Sequence, residues 1–175
     1  MMKMREFVLI GLAFNLFWLL AVMGQNQTLL LTIPLILLCW WRYQGAAVFG
    51  LTAGLLGIAS DSLWLHLGIF AFDTMNIIPI WLMVLWVGFS SFVWVVRDTV
   101  LGYPKALVLI VFSIGGTLSY LAGYRLDAVA WPYGAGITLS ILLVTWTVLG
   151  ALLIWLTEQF SRRLYHVHIH HTHHE

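Results

Sequence analysis

The sequence predicts an all-α polytopic membrane protein, six transmembrane helices in a single bundle with both termini on the cytoplasmic side. Three observations predict it. Of the 175 residues, 62% are hydrophobic and 9% charged, against roughly 25% charged in a soluble domain, so the chain has too little polar surface to face water. The apolar residues gather in runs long enough to cross a bilayer, separated by short loops. The basic residues fall almost entirely on one side of the resulting topology.

The first run, about Phe7 to Met23, follows a basic start, MMKMRE. It is longer than the core of a signal peptide and no small-residue cleavage site closes it, so it is read as a retained first span. The second, Thr28 to Trp41, is short and carries Pro34. The third is Ala46 to Leu67, the fourth Ile78 to Val96, the fifth Pro104 to Ala122 and the sixth Ala135 to Thr157. A hydrocarbon core of roughly 30 Å needs about 20 helical residues, and backbone facing lipid must satisfy its own hydrogen bonds, which requires helices here. The alternating pattern of a membrane β-barrel is absent.

Charge tests the doubtful second span. With six spans, Lys3, Arg5, Arg42, Arg97, Lys105, Arg162 and Arg163 share one side and Arg125 alone takes the other, a strong positive-inside bias. Without the second span, Arg42, Arg97, Lys105, Arg162 and Arg163 move opposite Lys3, Arg5 and Arg125, and the bias points away from the N-terminus. Six spans follow, forming one domain over residues 1–160, with 161–175 a basic, His-rich cytoplasmic tail. No internal repeat is evident. Trp40, Trp41, Tyr43, Trp94, Tyr103 and Trp155 are expected as anchors at the inner interface, and Trp64, Trp81, Tyr124, Trp131 and Tyr133 at the outer one.

A carboxylate inside the third span, in GLLGIASDSLWLHLGIF, is the most informative feature. Gly50, Gly54, Gly57 and Asp61 follow one another at steps of four, three and four, so they share a narrow helical arc. Small residues on one face admit a close helix, and an ionisable group at membrane depth faces the bundle interior and finds partners. The fifth span offers a matching face, with Gly115, Ser119 and Gly123 four residues apart. Asp61 lies fifteen residues beyond Ala46 and Ser119 fifteen beyond Pro104, so both sit at similar height in the outer half of the bilayer. Tyr120 is at that level, Arg125 is about 9 Å higher at 1.5 Å per residue, and Ser140 of the sixth span is near the same depth. A polar cluster of Asp61, Ser119, Tyr120, Arg125 and Ser140 is expected, with His66 and Tyr124 at its rim. His66 is about 140° around the helix from Asp61, so the two form no dyad. The cluster either pins helices in register or binds a cation, a proton or a polar head group.

Taken together, GLLGIASDSLWLHLGIFAF at 54–72, PIWLMVLWVGFSSFVWVV at 79–96 and GGTLSYLAGYRLDAVAWP at 115–132 resemble a bacterial inner-membrane family known as domain of unknown function 2878. The resemblance covers nearly the whole chain except the His-rich tail. It implies a multi-pass protein of the bacterial cytoplasmic membrane with no established activity, and an association with lipid-modifying enzymes that hints at fatty-acyl or phospholipid metabolism.

The remaining signals are weaker. In YHVHIHHTHHE, residues 165–175, His166, His168, His170, His171, His173 and His174 are close enough for a loose Zn²⁺, Ni²⁺ or Cu²⁺ chelate, but a composition of this kind is not a fixed metal site. Asn15 is expected to hydrogen-bond a neighbouring helix, and Ser90 and Ser91 to bond their own helix carbonyls. The net charge of +1 lacks the basic stripe that nucleic acid requires. The single cysteine, Cys39, forms no intrachain disulfide. No cofactor motif and no HExxH, G-x-S-x-G or phosphate-loop signature occurs; an outer-side set of Asp61, His66 and Asp73 is the weakest enzymatic alternative. The residues and the resemblance together point to a non-enzymatic accessory protein that handles a lipid or acyl amphiphile through the Asp61 cluster. The alternatives are a small cation- or proton-coupled transporter or channel and, last, a membrane enzyme acting on acyl chains. Membrane lipids are the expected partners, with a second copy of the chain or another membrane protein left open.

Overall fold

Apolar runs punctuated by proline and glycine build a helical protein. The computed structural model describes residues 3–72 and 77–172, with side chains through Arg163; Asp73 therefore lies outside the described residues. The helices are α1 (Met4–Gly24), α2 (Leu29–Arg42), α3 (Ala46–His66), α4 (Ile80–Val95), α5 (Arg97–Gly102), α6 (Lys105–Arg125) and α7 (Gly134–Thr172). No strand forms among the described residues. Four stretches are long and apolar enough to cross a membrane: Met4–Arg42, Ala46–His66, Lys105–Arg125 and Gly134–Arg163, while Ile80–Val95 is apolar but shorter.

Met4–Arg42 is not one straight rod. Gln25 has a positive φ of 46°, and a 3-10 turn over Gln25–Thr28 follows it. The Thr28 hydroxyl then donates back to the Leu20 carbonyl at 2.8 Å. Contacts with α4 show the reversal. Along α1, Phe14 stacks on Phe92 at 4.4 Å, Phe17 packs on Gly88 and Val22 shares a core cluster with Trp81, so α1 runs antiparallel to α4. Beyond the turn, Asn26 accepts the Trp81 amide at 3.3 Å and Trp40 donates to Ser91 at 2.9 Å, so α2 runs parallel to α4. The short second segment is thus the returning arm of a hairpin.

Two tight pairs form the rest of the bundle, α3 with α4 and α6 with α7. In the first, Gly50 and Gly54 lie against Ser91 and Val87, and Gly57 lies under the Trp86 indole. The glycine face of α3 therefore meets α4, its neighbour in sequence, and not the helix from the fifth apolar run. Gly115 and Gly123 of that run touch no other helix at the position a side chain would occupy; Gly116, one residue along, is the glycine that receives a ring, the Trp146 indole of α7. The two indoles occupy notches that only glycine leaves open.

Several rings expected at the interfaces are core instead. Trp81, Trp94 and Trp131 are buried, whereas Trp41, Trp155, Tyr103 and Tyr133 are exposed. Trp94 stacks on Phe49 and donates to the Gln44 carbonyl at 2.9 Å, closing the turn into α3. Lys105 and Glu158 pair at 2.6 Å at this same end. At the opposite end the loops after α3 and α6 are tied by two hydrogen bonds, Ala71 N–H to Ala130 O at 3.0 Å and the reverse at 2.9 Å. The α7 backbone stays helical through Thr172, prolonging the last span into the tail; the side chains of the six tail histidines lie outside the described residues.

Because overpacking a well-filled contact costs about 1–3 kcal/mol, Gly57→Ala and Gly116→Ala are expected to lower the melting temperature in detergent. Gly115→Ala, which meets open space, is expected to leave it unchanged or slightly raised. Thermal unfolding of the three variants side by side checks the pair.

Candidate functional site

Asp61 is 2% exposed and lies where the two helix pairs meet. Its carboxylate accepts the Trp86 indole N–H at 2.6 Å and the Tyr120 hydroxyl at 2.6–2.7 Å. Three helices are thereby joined: α3 through Asp61, α4 through Trp86 and α6 through Tyr120. Both bonds are short for their kind, and no water is needed to satisfy either donor. Trp146 of α7 stacks on Trp86 at 5.3 Å and meets Tyr120 edge-on at 6.1 Å. Phe70, from the loop after α3, stacks on Tyr120 at 5.5 Å. The result is one aromatic wall drawn from four segments and fixed by one carboxylate.

That wall faces a cavity of about 570 Å³. Trp86, Phe89 and Trp146 line one side, α1 contributes Phe14 and Trp18, and α6 contributes Gly115 and Ser119. The lining is overwhelmingly apolar; Asn15 and Ser119 are its main polar side chains. Its volume lies within the roughly 300–1,000 Å³ typical of ligand pockets, which are mostly apolar with a few placed polar groups. Asp61 is not in the lining. It stands behind Trp86 and Tyr120 and holds them.

Of the expected cluster, the structure brings Asp61 and Tyr120 together and separates the rest. Ser119 turns away and accepts the Trp18 indole N–H at 2.8 Å, bridging α6 to α1. Arg125 is exposed. Ser140 is exposed and donates to its own helix at Gly136 O, 3.0 Å away. His66 is exposed at the end of α3, and Tyr124 stacks on Trp131 at 4.4 Å. Asn15 donates to Gly11 O of its own helix at 2.8 Å, not to a neighbour. Ser91 does bond its own helix, at Val87 O, while Ser90 has a buried hydroxyl with no partner. Among the described residues no group of three metal-ligating side chains converges.

Sequence reasoning missed Trp86, Trp146 and Trp18. The available signal was position. Trp86 and Trp146 sit in the middle of apolar helices, far from either end, where the Trp86 indole N–H has no water and takes Asp61 as its acceptor.

The comparisons follow the same line as the residues. A family model described as "Protein of unknown function (DUF2878)" matches residues 7–152. No curated protein and no solved structure matches the chain.

Removing one partner of a buried hydrogen bond leaves the other unsatisfied, at about 1–3 kcal/mol. Asp61→Ala, which orphans both Trp86 and Tyr120, is therefore expected to destabilise most, Asp61→Asn less and Tyr120→Phe least. Unfolding in mixed micelles, read by circular dichroism, checks the order.

Proposed function

This chain belongs to the DUF2878 family over residues 7–152, and from that premise we propose that it is a six-pass protein of the bacterial cytoplasmic membrane that holds the apolar part of a lipid or fatty-acyl amphiphile in its central cavity. The cavity carries the proposal: about 570 Å³, walled by tryptophan and phenylalanine and open between helices. Among the described residues neither a nucleophile–base pair nor a group of metal ligands is found in its lining, which favours holding over chemistry, an accessory role to a partner that acts on the ligand.

The hairpin of α1 and α2 supports six passes, because each arm lies along α4 in an opposite direction. Arg42, Arg97 and Lys105 fall at the end of the bundle marked by Trp94 and Glu158, and Arg125 falls at the other. Cytoplasmic loops carry the excess of Lys and Arg, so both termini are assigned to the cytoplasm and the Asp61 wall to the outer half of the bilayer. A transporter using Asp61 as its ion site would need that carboxylate to meet water; its burial behind two rings favours a supporting role.

Two outcomes are expected. The full chain purified in mild detergent carries a defined lipid or fatty acid, detected by mass spectrometry after extraction, and Gly115→Phe, which fills the cavity from an open position, reduces its amount while the melting temperature holds. In intact cells, with Cys39 replaced by Ser, a membrane-impermeant maleimide labels Arg125→Cys but not Arg42→Cys. A purified protein free of any lipid-soluble ligand, or reversed labelling, defeats the corresponding half of the proposal.

A further inference from the structure

The shape and opening of the cavity identify what enters it and from where. Its lining along α6 runs from Val111 to Gly123, twelve residues or about 18 Å at 1.5 Å per residue. One leaflet of a hydrocarbon core roughly 30 Å thick is about 15 Å deep. The cavity is therefore a slot parallel to the helices and about as long as one leaflet is deep.

The slot opens sideways. Val111, Gly115 and Leu118 line it and are also exposed on the outer surface of α6, and Asn15 does the same on α1. Gly115 meets nothing within 4 Å where its side chain would stand. α1 and α6 do not pack closely; the Trp18–Ser119 hydrogen bond spans the gap between them. Gly115 lies ten residues into a helix of 21, so the opening is at the middle of the hydrocarbon and not at an aqueous surface. At the loop end Phe72, Ala128 and Val129 line the slot, on either side of the Ala71–Ala130 tie.

Resting on the proposed ligand-holding function, we infer that the occupant is one acyl chain of a membrane phospholipid, drawn laterally from the outer leaflet through the gap between α1 and α6, with the Trp18–Ser119 bond as the crossbar of that gap. The phospholipid head group stays at the interface outside the slot, whose lining among the described residues contains no charged side chain to receive it.

The test uses the full chain in liposomes of phosphatidylethanolamine and phosphatidylglycerol, doped with phosphatidylethanolamine carrying a diazirine at the end of one acyl chain. Photolabelling is expected on peptides that line the deep end, around Phe92 and Phe112. Both Gly115→Phe and Leu118→Trp are expected to reduce that labelling by roughly an order of magnitude, while Val144→Trp, on the exposed face of α7, leaves it unchanged; melting temperature verifies that each variant is folded. Labelling spread evenly over exposed helix faces, or insensitive to Gly115→Phe, overturns the inference. So does stronger labelling by palmitate with the same diazirine, added from water to probe-free liposomes. That last result would leave ligand holding intact and remove only the lateral phospholipid route, whereas a purified protein without any ligand would remove both.

Discussion

A single buried carboxylate organises this molecule. The pairs α3/α4 and α6/α7 each close on their own glycine contacts, and aromatic packing such as Trp86 on Trp146 and Phe49 on Phe160 brings the two pairs together, but one buried polar group hydrogen-bonds them to each other. Asp61 does so by accepting from Trp86 on one pair and Tyr120 on the other. Burying a carboxylate is costly, and the cost is offset only where donors are preplaced. Here the donors are aromatic rings whose faces are needed elsewhere, so one interaction sets both the register of the bundle and the orientation of the cavity wall.

The wall in turn depends on what is missing. Trp86 sits over Gly57 and Trp146 over Gly116, and their stack is possible because neither helix presents a side chain there. Small residues in membrane helices are often explained by backbone approach alone. In α3 the stripe serves that purpose at Gly50 and Gly54, and then, one turn further on, it makes room for an indole. The same stripe thus passes from helix packing to building a binding surface without changing residue type.

Much of this was legible in the sequence, for identifiable reasons. Counting residues from the helix starts placed Asp61 and Tyr120 at one height, and height is what a helix preserves. Azimuth was harder. Ser119 is one residue and about 100° from Tyr120, enough to aim it at α1. The small-residue ladder predicted a close neighbour and was matched to the fifth span, but the nearest helix in sequence, α4, took that place, as short connections favour. Arg125, at the end of α6, had room to stay outside. The interface rule explained Trp41 and Trp155 but not Trp86, Trp94 or Trp146, whose N–H groups or faces are used inside. The cavity itself was not legible, because it is a gap between α1 and α6, helices far apart in the chain.

The returning arm of the hairpin has a further consequence. α2 has 14 residues, about 21 Å of helix, against roughly 30 Å of hydrocarbon, and its flank is largely exposed, Leu30 most of all. Under the proposed six-pass topology, the bilayer around that arm would thin or the flanking residues would stretch to meet it, each at a fraction of a kcal/mol per Å of mismatch. That topology would make the protein sensitive to bilayer thickness: lengthening the acyl chains around it would raise the strain on one flank of the bundle, beside the helix that borders the slot.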